Sequence, residues 1–286
     1  MFVGSEYAYY GMYLVGFAIM MLINLKTHKK YQLRKSVAVV ITLITYVAGV
    51  TGAMIMGRAY TALIERFDAG GSTVAIFGAV VFTPIFMIIV SLLLGQSWRK
   101  VMDMLAPGIF IILTCAKFGC FLNACCPGRE CSFGFYNELV GGIAFPSQLF
   151  ESITMCIVVA FCFWYALKNK KCISGSVYPV TAAVYSVTRF FWEFMRYYKY
   201  EEMRHLVFGM TFWQFWCIVV VLASIGWIIL LKSRKLQALE VKYYTFIDAD
   251  VRTFIDSKLK TFTAKIEKFM HRNDKNIVHH KKRKKK

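Results

Sequence analysis

Charged and amide side chains lie at or inside three long apolar stretches of this chain. Residues 117–123 read Lys-Phe-Gly-Cys-Phe-Leu-Asn, and residues 145–151 read Phe-Pro-Ser-Gln-Leu-Phe-Glu. Residues 185–196 space a tyrosine, two arginines and a glutamate at nearly helical intervals. An ionisable group at the centre of a membrane helix costs roughly 3 kcal/mol or more, so it usually marks a functional site. The three segments together therefore predict one polar site inside a membrane domain.

The third segment has the spacing of a helix face that could hold a phosphate. Tyr185, Arg189 and Glu193 recur every four residues and so share one face, with Arg196 further along it. Arginine makes forked contacts with phosphate oxygens. Glu193 would orient one arginine while the other faces the phosphate. The alternative is a structural Glu–Arg pair that joins two helices.

The other two segments supply a cation and two more polar groups. Lys117 has apolar neighbours on both sides, so it either faces the site or extends its amine toward the membrane surface. Gln148 and Glu151 lie on one helical turn and would either roof a polar cavity or hydrogen-bond neighbouring helices.

Composition predicts the fold class, an all-α integral membrane protein with about seven transmembrane helices. The hydrophobic fraction is 58%, above the roughly 45–50% of soluble domains. Spanning a membrane takes about 20 mostly apolar residues. The blocks that qualify are Ala8 to Leu25, Val37 to Met56, Thr73 to Leu94, Leu105 to Ala124, Gln148 to Leu167, Val177 to Phe194 and Val207 to Leu231.

Basic residues in the short connections predict the orientation. Lysines and arginines concentrate in the first, third and fifth loops and after Lys232. The N-terminus is therefore expected outside, and the odd loops and the C-terminus in the cytoplasm. The expected division is a membrane domain over residues 1–232 and a cytoplasmic region over residues 233–286.

The cytoplasmic region accounts for much of the net charge of +19. From Val251, apolar residues recur at helical spacing among lysines, and the chain ends in a basic run. This pattern predicts an interfacial amphipathic helix and a polybasic tail that bind anionic lipid. The alternatives are a tail that is simply solvated and a tail that binds a nucleic acid or a protein. Of these partners, a nucleic acid is not expected.

The order of motifs resembles the prolipoprotein diacylglyceryl transferase family, from about Tyr9 to Leu231. No single motif is decisive, but their order and spacing are specific. The matching segments are Tyr9-Tyr10-Gly11-Met12, Gly57-Arg58-Ala59-Tyr60, Leu105-Ala106-Pro107-Gly108, Gly128-Arg129, Pro146 to Glu151, Tyr185 to Arg196 and Gly209-Met210-Thr211 with Gln214.

This resemblance implies a transferase of the bacterial cytoplasmic (inner) membrane that requires no cofactor. It would move diacylglyceryl from phosphatidylglycerol to the lipobox cysteine of a lipoprotein precursor and release glycerol phosphate. The expected catalytic residues are Arg189, Lys117 and Glu151. The expected substrate-binding residues are Tyr10, Asn123, Arg129, Gln148, Tyr185, Glu193 and Arg196.

Two departures from the family pattern bear on activity. Lys117, Cys120 and Cys125 stand where the family has Arg, Asn and Glu, and residues 70–78 lack the family's histidine. Glu151 is then the candidate base, and His205 a less favoured substitute. The alternatives are an impaired relative that binds anionic lipid or lipoprotein without transfer, and an unrelated seven-helix transporter or receptor.

Four cysteines cluster around the end of the predicted fourth helix and in the loop that follows it, at Cys120, Cys125, Cys126 and Cys131. Their spacing is not that of a usual zinc site, so no metal is expected. A disulfide among the last three, simple packing, or a redox-sensitive thiol all remain open. The family resemblance extends to a subgroup with a Gly-Cys-Phe-Leu-x2-Cys-Cys-x-Gly motif.

Overall fold

The computed structural model describes residues 6–64, 75–168 and 172–246, with residues 257, 258, 261 and 264. Within these ranges the regular secondary structure is helical apart from one two-stranded sheet. The elements are α1 (Glu6–Thr27), α2 (Lys35–Ile64), α3 (Phe77–Leu93), α4 (Trp98–Leu122), β1 (Glu130–Asn137), β2 (Gly142–Ala144), α5 (Ser147–Leu167), α6 (Val177–Glu193), a 3-10 helix (Glu201–His205), α7 (Phe212–Lys232) and α8 (Arg234–Phe246).

Five of these helices are long and apolar enough to cross a membrane: α1, α2, α4, α5 and α7. The architecture is that of a multi-pass membrane protein. The helices α3 and α6 have 17 residues each, which rise about 26 Å, slightly less than the roughly 30 Å hydrocarbon core. Seven spans and the predicted sidedness therefore stay predictions.

Helix α4 is the centre of the bundle, because it contacts α1, α3, α5 and α6. Its buried apolar side chains include Leu105 and Phe110. Near its start, the carboxylate of Asp103 accepts the backbone N–H groups of Gly175 at 2.7 Å and Val177 at 3.0 Å. These bonds satisfy N–H groups at the beginning of α6. Helices α4 and α6 are thereby fixed together at one end of the bundle.

The connection between α4 and α5 forms an antiparallel hairpin, where the sequence predicted a loop. Strand β1 pairs with β2 through Phe135↔Ala144 and Tyr136↔Ile143. In the turn, Asn137 Oδ1 accepts the N–H of Leu139 at 3.0 Å. The aromatic residues of β1 are good strand formers, but the run is too short for a periodicity signal. The hairpin is a small departure from the all-α prediction.

Helix α8 packs back onto the opposite end of the bundle. Arg99 on α4 pairs with Glu240 at 2.9 Å, and the Tyr243 hydroxyl donates to the Leu92 carbonyl at 2.6 Å. The predicted domain boundary falls between α7 and α8 and remains untested. The amphipathic helix expected from Val251 lies outside the described residues.

Candidate active site

Three helices and the segment just after α6 bring five charged side chains together at the end of the bundle away from Asp103. Lys117 comes from the last turns of α4, Glu151 from the second turn of α5, and Arg189 and Glu193 from the end of α6. Arg196 follows three residues after α6. Arg189 and Glu193 are four residues apart in α6 and so lie on the same face of the helix. Their closest nitrogen–oxygen distance is 2.5 Å.

Glu151 is the hub of this network because three cations face its carboxylate. Lys117 Nζ lies 2.5 Å from Oε2, Arg196 Nη1 lies 3.5 Å from Oε1, and Arg189 Nη1 lies 3.8 Å from Oε1. The exposed fractions are 7% for Lys117, 6% for Arg189, 3% for Glu151 and 1% for Glu193. Burial at this level removes most solvent screening, so the pairs interact strongly.

The network carries an excess of positive charge. Three cations face two carboxylates, which leaves one unmatched positive charge. Arg189 Nη1 is buried and makes no hydrogen bond within the described part of the chain. A buried donor without an acceptor is costly, and a bound anion would satisfy it. The arrangement is therefore suited to hold an anion.

Backbone hydrogen bonds hold the loops that carry this network. Gly128 N–H donates to the Phe145 carbonyl, and Arg129 N–H donates to the Met195 carbonyl, both at 2.9 Å. A Cβ at position 128 would lie 2.6 Å from the Phe145 oxygen, so only glycine fits this close approach. The loops after α4 and α6 and the entry to α5 are thus joined at one point.

A cavity of about 420 Å³ opens beside the network. Its wall includes the cations Lys117, Arg189, Arg196 and Lys199, with Tyr185 and Trp213. A second, largely apolar cavity of about 340 Å³ lies among α1, α2, α3 and α4. Tyr9 and Ile76 line both cavities. The charged cavity thus adjoins an apolar one.

Comparison with known proteins places the chain in a family. Residues 3–230 match the family model described as prolipoprotein diacylglyceryl transferase. The chain belongs to this family. Its membership confirms the resemblance drawn from the order of the motifs.

Named relatives of the transferase family share about a quarter of their matched residues with this chain. One is the phosphatidylglycerol--prolipoprotein diacylglyceryl transferase 2 of Clostridium perfringens, 26% identical over 168 residues, which are 54% of this chain and 65% of that protein. The corresponding transferase of Clostridium tetani is 26% identical over 139 residues, 44% of this chain and 53% of the relative. That of Finegoldia magna is 24% identical over 132 residues, with 46% and 53% covered. The matched regions thus span between half and two thirds of these relatives.

Six of the predicted site residues of this transferase family member converge in the structure. Lys117, Arg189 and Arg196 line the charged cavity with Tyr185, while Glu151 and Glu193 pair with its cations. The ring of Tyr185 packs 5.8 Å from that of Phe77, centroid to centroid. Their catalytic and binding roles remain proposals.

The other four predicted residues lie outside the charged cavity. Tyr10 lines the apolar cavity, and Asn123 follows Leu122 as the C-terminal cap of α4. Arg129 is exposed and makes backbone contacts in the joined loops. Gln148 is buried and donates a hydrogen bond from Nε2 to the Cys125 carbonyl. It therefore supports the loop that borders the cavity.

Sequence reasoning missed two residues just beyond Arg196. The Tyr198 hydroxyl donates to Glu193 Oε1, and Lys199 lines the cavity. Burial, and then the charge of Glu193, raise the pKa of Tyr198 well above its usual value, so Tyr198 stays a neutral donor. The signal was the basic and aromatic run 196–200, which the hydropathy pattern assigns only to a loop.

The cysteines and His205, which were also candidates from the sequence, have other positions and partners in the structure. All nine cysteines are free thiols, so the disulfide alternative does not form in this structure. The Cys131 thiol instead donates to the Phe133 carbonyl at 2.6 Å. His205 is exposed, and its Nδ1 lies 3.1 Å from the Gly209 carbonyl oxygen rather than in the cavity wall.

Proposed function

We propose that this chain transfers diacylglyceryl from phosphatidylglycerol to the lipobox cysteine thiol of a lipoprotein precursor and releases glycerol phosphate. One observation carries the proposal: a cavity walled by four cations lies beside an apolar cavity in a member of the transferase family. Phosphatidylglycerol has matching parts, an anionic phosphodiester and two acyl chains.

The lipid would bind with its phosphate in the charged cavity and its acyl chains toward the apolar one. Arg189 would give the phosphate the hydrogen bond that its Nη1 lacks, while Lys117 and Arg196 supply charge. Tyr10, in the apolar cavity, would contact the acyl chains. The polar residues Asn123, Arg129 and Gln148 would shape the edge of the charged cavity.

The cations are placed to assist departure of the leaving group. The acceptor thiolate would attack the glyceryl carbon bonded to the phosphate oxygen, and that carbon–oxygen bond would break. Its electron pair passes to the phosphate oxygen, so glycerol phosphate leaves with one more negative charge than the diester carried. Fixed cations that meet this developing charge lower the barrier. Lysine at position 117 keeps the charge of the family's arginine but lacks the planar fork.

Glu151 fits a positioning role better than that of the base predicted from the sequence. Three cations within 3.8 Å stabilise its ionised form, and a carboxylate so stabilised accepts a proton poorly. Its contribution would be to hold Lys117, Arg189 and Arg196 in one place. Glu193 and Tyr198 would fix Arg189 from the other side.

The proposed function also implies how the chain is oriented in the membrane. The chain would cross the bacterial inner membrane with its charged cavity on the outer side, where lipoprotein precursors arrive. Seven spans would leave residues 233–286 in the cytoplasm, where their basic end would bind anionic lipid.

The test is transfer of labelled diacylglyceryl from phosphatidylglycerol to a lipobox peptide by the purified full chain. Arg189→Ala and Lys117→Ala should lose activity by about 100-fold or more, by analogy with removal of a transition-state donor. Arg234→Ala and Lys168→Ala, which change exposed cations at the far end of the bundle, should retain activity. A wild type that binds phosphatidylglycerol but transfers nothing would favour the alternative of lipid binding without catalysis.

A further inference from the structure

A tight turn just before α7 holds a phenylalanine out from the bundle. Val207 and Met210 exchange two backbone hydrogen bonds, at 3.1 and 3.0 Å, so that Phe208 and Gly209 form a two-residue turn. Their φ angles are 50° and 75°, the signs of a type I′ turn, which favours Asn and Gly. A bulky side chain is rare at positive φ. Phe208 nevertheless occupies this position and is 87% exposed.

Phe208 continues an apolar stripe that runs along α7. Four aliphatic residues of this helix are 39–64% exposed and recur every three or four positions, so they share one face: Ile218, Leu222, Ile225 and Ile229. Phe215 begins the same face, and its ring centroid lies 6.0 Å from that of Phe208. A single exposed phenylalanine is common on protein surfaces. This one instead extends the exposed apolar face of a helix long enough to span a membrane.

The length of α7 places the turn at the membrane surface. The 21 residues of α7 rise about 32 Å, close to the roughly 30 Å of the hydrocarbon core. The helix therefore begins at the edge of the hydrocarbon, where Thr211 and Gln214 form a capping box that satisfies its first N–H groups. Phe208 precedes this cap and lies at the level of the lipid head groups. Aromatic and apolar side chains of interfacial segments insert at this level.

The loop that ends in this turn also forms part of the wall of the charged cavity. Arg196 and Lys199 line that cavity, and the backbone of Arg196 is bridged to Gly128. Further along the loop, Met203 is buried against Tyr60 of α2. The loop is thus fixed to the bundle at its beginning and in its middle, and the exposed turn follows at its end beside α7.

We propose that Phe208 is a membrane anchor whose ring inserts into the lipid leaflet at the charged end of the bundle. The partner is a lipid surface, because the ring extends the exposed apolar face of a spanning helix and lies at head-group depth. The anchor holds the loop over residues 194–211 at the membrane surface. It thereby keeps Arg196 and Lys199 near the level of the lipid phosphates. This inference goes beyond the proposed function and requires only the membrane architecture.

The test is photocrosslinking of the full chain in nanodiscs of phosphatidylglycerol and phosphatidylcholine. The variant Phe208→p-benzoylphenylalanine carries a ketone that inserts into nearby C–H bonds on irradiation, and mass spectrometry after digestion identifies the adducts. The same substitution at Leu222, in the middle of the α7 stripe, is the positive control. At Glu202, exposed on the 3-10 helix of the same loop, it sets the background. Lipid adducts should form at position 208 in a yield close to that at position 222.

Two results of this experiment would overturn the anchor. One is a background yield of lipid adducts at position 208 beside a high yield at position 222. The other is a shift of the adducts at position 208 from lipid to protein when a purified lipoprotein precursor is added, because the turn would then be a protein-docking site.

Two further variants separate anchoring from folding. Glycine adopts positive φ without steric cost, so Phe208→Gly should melt at the wild-type temperature or above it. In nanodiscs, the amides of residues 194–211 should exchange about tenfold or more faster in Phe208→Gly than in wild type, the factor that corresponds to losing a buried phenylalanine ring. Phe208→Trp, which keeps an aromatic ring, should exchange like wild type. Equal exchange in wild type and Phe208→Gly would contradict the anchor. Neither readout depends on transfer, so failure of the proposed function and failure of the anchor are distinguishable.

Discussion

Replacing Glu151 with glutamine removes the carboxylate that three cations share. At an effective dielectric constant of about 20, the pair at 2.5 Å attracts by about 7 kcal/mol, and the pairs at 3.5 and 3.8 Å by about 5 and 4 kcal/mol. Desolvation offsets most of this attraction. The net cost of removing one partner of a buried pair is typically about 3–5 kcal/mol. At about 2 °C per kcal/mol for a chain of this size, Glu151→Gln should unfold about 6–10 °C below wild type.

A double variant shows whether the loss comes from unpaired charge. Glu151→Gln with Lys117→Met removes one charge of each sign and leaves Arg189 and Arg196 facing Glu193, with the same net charge as before. Because replacing both partners is often nearly neutral, the double variant should regain most of the lost stability. The coupling energy should be about 3 kcal/mol.

The assay is thermal unfolding in detergent, with and without phosphatidylglycerol, and with Glu138→Gln as control in the exposed hairpin turn. Phosphatidylglycerol should stabilise Glu151→Gln more than it stabilises wild type, because its phosphate replaces the missing negative charge. Zwitterionic phosphatidylcholine should not. If Glu151→Gln melted with wild type, the claim that this carboxylate balances buried cations would be wrong.

Three further predictions concern contacts that hold the fold together, two of them beside the site and one at the far end of the bundle. Gly128→Ala should destabilise the fold by about 1–3 kcal/mol, because the added Cβ would lie 2.6 Å from the Phe145 oxygen. The measurements are the melting temperature and the transfer rate, and both should fall. Tyr198→Phe should cost about 1.5–3 kcal/mol, the range for a hydrogen bond to a charged group, because Glu193 loses its hydroxyl donor; equal melting temperatures would contradict this. Asp103→Ala should lower the melting temperature by removing two hydrogen bonds at the start of α6. It should leave the affinity for phosphatidylglycerol unchanged, since Asp103 lies about 21 Å along α4 from the site lysine, and a lipid titration checks this.

The apolar blocks of the sequence predicted the bounds of α5 and α6 to within one residue. The block Gln148 to Leu167 became Ser147–Leu167, and Val177 to Phe194 became Val177–Glu193. Helix α2 instead continues to Ile64, eight residues beyond its block. Hydropathy detects the stretch that prefers lipid, whereas the backbone hydrogen bonds of a helix do not depend on side-chain polarity, so α2 continues past Arg58 and Thr61.

The site was predictable where contacts are local. The spacing of four residues gave the Arg189–Glu193 pair directly. The pairing of Lys117 with Glu151 depends on how α4 packs against α5, so the sequence could name both residues but not their contact. The course of the cavity wall after α4 depends on a left-handed backbone conformation at Cys126, which no residue type at that position signals.

The most direct test of the central claim is the intact mass of a lipobox peptide after incubation with the purified wild-type chain and phosphatidylglycerol of defined acyl chains. If the chain catalyses the transfer, the peptide should gain the mass of one diacylglyceryl group on its cysteine, and glycerol phosphate should appear in equal amount. An unmodified peptide, from protein that is folded and saturated with phosphatidylglycerol, would contradict it.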